Sequence, residues 1–175
     1  MNRPQPLVLT AAMIIVLVAI IAGGSLVAAQ LDQGPEQPIG FTHFTHASTL
    51  QLDCTFCHRN VDKGANASVP AVEQCMFCHR VVEEGGRPGS AAEIAKVREA
   101  FRDGEPIDWI RVHRVPDHVR FVHSAHIKAG VSCATCHGAV EKMTRVAQVR
   151  PLKMGDCVSC HRQNNAPTDC TTCHK

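Results

Sequence analysis

Apolar positions fall into one long run and one short periodic stretch. The long run covers residues 7–29 (LVLTAAMIIVLVAIIAGGSLVAA), 23 positions without a charge. A helix of that length predicts a bilayer span. The rival reading is a secretory signal, because Val27-Ala28-Ala29 resembles a cleavage site, but the run exceeds the usual apolar core of such a signal. Arg3 precedes the run and Asp32 and Glu36 follow it, so the positive-inside rule puts the N-terminus in the cytoplasm and the remainder outside. Ala22, Gly23, Gly24 and Ser25 could allow close packing against another membrane helix, or simply face lipid. Residues 30–40 (QLDQGPEQPIG) read as a linker, since Pro35 and Pro38 exclude regular structure. The periodic stretch follows the turn-rich Gly85-Gly86-Arg87-Pro88-Gly89. Ile94, Val97 and Phe101 recur at spacings of three and four, which predicts a helix from Ser90 to about Arg102. Ser90 and Glu93 fit a capping box, and Asp103-Gly104 ends the helix.

The chemistry lies elsewhere. The pattern C-x-x-C-H occurs five times: at Cys54, Cys57 and His58; Cys75, Cys78 and His79; Cys133, Cys136 and His137; Cys157, Cys160 and His161; and Cys170, Cys173 and His174. Two thiols three residues apart lie on one side of a helical turn, and both can form thioethers to one porphyrin. The adjacent His then supplies the proximal iron ligand. All ten Cys are used and none is left for a disulfide. Zinc sites also use C-x-x-C, but their His usually stands at a distance from the second Cys. Disulfide domains do not repeat one local spacing five times. The expectation is five covalently bound c-type haems.

The motifs sit in a repeat. Phe41-Thr42-His43-Phe44-Thr45-His46 precedes the first two, and Phe121-Val122-His123-Ser124-Ala125-His126 precedes the next two. Two-haem units of about residues 41–79 and 121–161 result, with a helical connector at 81–110 and a fifth motif at 170–174. His at i and i+3 on one turn can point to two different haems. Six His lie outside the motifs, enough for a second imidazole on every iron. His43, His46, His113, His123 and His126 are the preferred distal ligands. His118 and Met154 are the substitutes that spacing leaves open.

Composition agrees. One Trp, no Tyr and six Phe leave the roughly 145 residues after the apolar run short of large side chains for an ordinary core. Macrocycles would fill that interior, so the fold expected is mainly α and irregular: haems wrapped by loops and short helices, with little or no sheet. Its parts are an N-terminal anchor (1–29), a linker (30–40) and a haem domain (41–175). The formal charge is +2. Five haems with ionised propionates bring it to about −3 oxidised and about −8 reduced, which argues against a nucleic-acid partner.

The F-x-H-x-x-H and C-x-x-C-H units resemble small multihaem cytochromes of the c3 and c7 type. A closer likeness runs over residues 104–161, through Pro106-Ile107-Asp108-Trp109, His113-Arg114-Val115-Pro116-Asp117-His118, the second His pair and Met154-Gly155. This stretch resembles the pentahaem c-type cytochrome of alternative complex III. Asp156 departs from that pattern, where an aromatic residue is usual. The resemblance implies an electron wire on the outer face of the cytoplasmic membrane, within a quinol:electron-acceptor oxidoreductase of a respiratory or photosynthetic chain. It also implies iron–sulfur and polytopic membrane subunits as partners, with a monohaem cytochrome or other soluble acceptor. No motif has Lys in place of the proximal His, as in the catalytic haem of pentahaem nitrite reductases. No Ser/His/Asp set, Gly-rich phosphate loop or persuasive carboxylate pair is present. The expectation is a non-catalytic subunit. The alternative is a self-standing, membrane-anchored quinol dehydrogenase feeding a periplasmic reductase.

Overall fold

A computed structural model describes the backbone of residues 6–31 and 34–174, and the side chains of 10–24 and 34–174. The chain divides into two compact units, residues 1–34 and 35–175. In the first, helix α1 spans Pro6–Leu31. Among the described residues no helix is long and apolar enough to cross a membrane. The anchor expected over residues 7–29, and the single-pass placement with an outer haem domain, are corrected accordingly. The described side chains of α1 run from Thr10 to Gly24. Arg3 and Asp32, used for orientation, and the side chain of Ser25 lie outside the described residues.

The second unit is built from short helices joined by irregular chain. They are α2 (Cys54–Cys57), α3 (Val72–His79), α4 (Ser90–Asp103), α5 (His123–Lys128), α6 (Cys133–His137), α7 (Met154–Gln163) and α8 (Cys170–Cys173). A π-helical turn at Phe44–Thr49 and a 3-10 turn at Val140–Lys142 complete the set. Among the described residues the only extended pairing is one isolated antiparallel bridge, Val119 to His174. Among the described residues the fold is mainly helical without a sheet.

One small apolar core is visible. Ile39, Val72, Met76 and Val97 are buried together, with Cys75, Ala100, Phe101, Ile107 and Trp109 packed around them. The α4 face read from periodicity supplies it: Ile94 and Val97 are buried, and Phe101 packs alongside. Gly104 closes α4 at φ +71, its N–H reaching Ala100 O and Phe101 O, as a left-handed glycine cap should. The start of α4 differs from the capping box. Gly89, at φ +79, is the N-cap, and Ser90 Oγ is bonded to the Gly85 backbone. The Glu93 carboxylate instead accepts from Gly40 N–H, 53 residues away, at 2.6 Å. Tertiary contact takes the carboxylate that local chemistry would have kept. The stretch after Pro35 is held too, since the Gln37 amide exchanges two 2.9 Å bonds with the Ile110 backbone.

The two His turns differ by one residue of chain. His126 to Cys133 is an α-turn, Ala129 N–H bonding to Ala125 O. His46 to Cys54 is one residue longer, and the π-turn absorbs it: Leu50 N–H reaches back five residues to Thr45 O. Gln51 (φ +54) and Gly130 (φ +79) then take the same left-handed step three residues before the first Cys of each motif.

Candidate haem-binding sites

Every C-x-x-C pair lies on a helical turn, in α2, α3, α6, α7 and α8. Asp53 caps α2, accepting from Thr55 N–H at 2.8 Å. None of the ten Cys is in a disulfide. Among the described residues no three or more His, Cys, Asp or Glu converge as a zinc cage would.

The imidazoles meet in pairs. His79 faces His46 with ring centroids 6.2 Å apart, and His161 faces His126 at 6.0 Å. His137 faces His123 at 6.3 Å with the rings 10° from parallel, and His174 faces His118 at 5.5 Å and 13°. Two imidazoles bound on opposite sides of one metal, with bonds of about 2 Å, have centroids about 6 Å apart. Four of the five motifs therefore have a second imidazole at axial spacing. His58 of the remaining motif has His43 as its neighbour. His43 is held down to about 4, first by burial and then by His58 and His46. His137 is likewise near 4, through burial and then His113, His123 and His58. Both are kept neutral, the form in which imidazole binds a metal.

The hydrogen bonds fix the tautomers. His46 Nδ1–H donates to Thr42 O (3.0 Å), His126 to Val122 O (2.9 Å) and His123 to Ala65 O (2.6 Å). On the motif side, His58 donates to Ser68 O (2.7 Å), His79 to Val82 O (3.1 Å) and His161 to Pro167 O (2.6 Å). A carbonyl oxygen only accepts, so Nδ1 carries the proton and Nε2 is left as a lone-pair donor. Phe41 and Phe121 hold the two His turns alike. Phe41 stacks on His46 (4.4 Å, 24°) and meets His43 edge-on (4.9 Å, 88°). Phe121 stacks on His126 (4.6 Å, 28°) and meets His123 edge-on (4.8 Å, 89°). The donor set, its tautomers and its spacing fit haem.

The two histidines outside the repeats stand differently. His113 lies edge-on to His137 at 4.3 Å, closer than an axial pair, with Nε2 buried and unbonded. His118, ranked behind it on spacing, is the one stacked on a motif His. The fifth motif needs a partner from outside the two repeats, and His113 and His118 are the two left over. The bridge from Val119 to His174 and the bond from Arg120 N–H to Cys173 O bring His118 there. Met154 is exposed, and His126 already stands opposite His161. Asp156 takes both Nε and Nη2 of Arg150 (3.1 and 2.5 Å), and Arg150 Nη1 reaches Thr135 O (3.2 Å). The residue that departs from the aromatic pattern thus ties the third motif to the fourth.

These sites are those of a covalent c-type haem protein. Residues 119–175, the C-terminal third of the chain, match the family model of cytochrome c7 and related cytochrome c and are similar to that family over this stretch. With that likeness come covalent haem and multihaem electron transfer. No curated protein matches the chain.

Proposed function

We propose that this chain is a non-catalytic electron-transfer subunit carrying five covalent c-type haems. Its setting is a membrane quinol:electron-acceptor oxidoreductase of the alternative complex III type. Iron–sulfur and polytopic membrane subunits are its partners, and a monohaem cytochrome or other soluble carrier is its acceptor. The observation that supports this reading is the set of imidazole pairs at axial spacing, one on each of four motifs, with Nε2 free in those whose Nδ1 is bonded. Haem bound there would supply a reversible one-electron couple. The residues present would hold it: ten thiols for attachment, His58, His79, His137, His161 and His174 on one side, and His43, His46, His123, His126 and His118 on the other. Two imidazoles on an iron would leave no position there for a substrate, which favours relay over catalysis.

Low-temperature EPR of the oxidised, purified protein tests this. Low-spin bis-imidazole signals integrating to five haems are expected. A high-spin signal of one haem or more would favour the self-standing quinol dehydrogenase. Membership of a complex is tested separately by mild-detergent purification of the tagged chain. Iron–sulfur and polytopic subunits should accompany it, and isolation of the chain by itself would count against that part.

A further inference from the structure

We infer that the two two-motif units pack against each other about an internal pseudo-twofold axis, which lays the five motifs out in the order second, first, third, fourth, fifth. This rests on the reading that each motif carries haem. Across a twofold axis, if residue i of one unit contacts j of the other, the equivalent of i must contact the equivalent of j. In this sequence the first and third motifs are offset by 79 residues and the His turns by 80. Phe44 N–H donates to Met143 O at 3.0 Å. The equivalent bond joins Ser124 to Gly64, and it is present at the same length: Ser124 N–H to Gly64 O, 3.0 Å. Each unit's His turn thus sits on the loop that follows the other unit's first haem motif. His123 reinforces one side, its N–H and Nδ1–H both reaching Ala65 O.

Equivalent residues meet themselves at such an axis. Cys54 and Cys133 are equivalents, and their thiols lie side by side: Cys54 is raised first by burial and then by Cys133. The first and third motifs are therefore back to back at the centre.

The outer contacts follow in both directions. Gln74 of α3 donates to Phe56 O inside the first motif, and the Arg59 guanidinium lies 5.7 Å over the Phe77 ring. The second motif is thereby next to the first, with its other side packed on α4. Arg150 joins the third motif to the fourth. His161 Nδ1–H reaches Pro167 O, and Cys157 has Cys173 beside it, placing the fifth next to the fourth. The motif nearest the N-terminus is thus an interior station, and the second and fifth are the ends.

Two-dimensional NOE spectroscopy on the fully reduced, diamagnetic holoprotein in detergent tests the order. Each haem is first assigned to its motif through contacts between its substituents and that motif's side chains. Inter-haem cross-peaks are expected for first with second, first with third, third with fourth and fourth with fifth. Absence of a first–third cross-peak, or a direct second–third contact in its place, overturns the inference. The intact mass of the same sample reports haem number independently. A mass short of five haems would sink the functional reading, while the first–third cross-peak would still decide the packing.

Discussion

Gly138 offers a quantitative check on how the third motif is held. It follows His137 directly and has φ +71 and ψ −166, a conformation essentially reserved for glycine. A Cβ there would lie 2.9 and 3.1 Å from the two γ-methyls of Val149, in the segment leading to Arg150. For Gly138→Ala the backbone term is about 1–3 kcal/mol and the overpacking term about another 1–3 kcal/mol. Their total, about 2–6 kcal/mol at roughly 3 °C per kcal/mol, lowers the melting midpoint by roughly 6–18 °C. Val149 is half-exposed, so Val149→Ala alone should cost under about 1 kcal/mol. In the double variant the methyl clash disappears and only the backbone term remains, so recovery should be partial. Soret-region circular dichroism of the holoprotein during heating provides the assay. A Gly138→Ala protein as stable as the parent would refute the reasoning, as would complete rescue by Val149→Ala.

Other outcomes follow from the same contacts. His118→Ala should convert one of the five low-spin haems to high spin in the EPR spectrum, while His113→Ala should leave the low-spin count unchanged; the reverse result would exchange their roles. Asp156→Asn removes the negative partner of Arg150 and leaves a positive charge between the third and fourth motifs. Uncompensated positive charge favours the reduced state, so part of the potentiometric titration should move to higher potential, and a superimposable titration would contradict the assignment. Glu93 is held below its ordinary value near 4.5, first by the Gly40 N–H and then by Lys96. A depressed carboxylate contributes stability that is present above its unfolded value and lost as pH falls through the folded one. Solvent contact limits that contribution to the order of 1 kcal/mol, so Glu93→Gln should be less stable at neutral pH and the gap should close below pH 4 in acid titrations.

What could be read from the sequence was what local chemistry fixes. A C-x-x-C-H motif is complete within five residues, and all five lie on helical turns. The F-x-H-x-x-H repeat is complete within six, and its two copies agree in ring geometry to a few tenths of an ångström and a few degrees. Helix α4 was legible because one face carries Ile94, Val97 and Phe101. What failed depended on partners distant in sequence. Glu93 looked like a capping residue until Gly40 came within reach. His113 is the preferred ligand on paper, but the bridge between Val119 and His174 places His118, not His113, against His174. Asp156 looked like a lost aromatic contact until Arg150 was placed beside it. The apolar run was legible as a helix, but the span inferred from its length is not carried by the described residues.

The central claim is that each of the five C-x-x-C-H motifs holds one covalent haem. Intact mass spectrometry of the purified full chain under denaturing conditions tests it most directly, because thioether-linked haem survives unfolding. The account requires a mass exceeding that of the polypeptide by five haem groups. A mass equal to the bare chain, or larger by fewer than five haems, would contradict it.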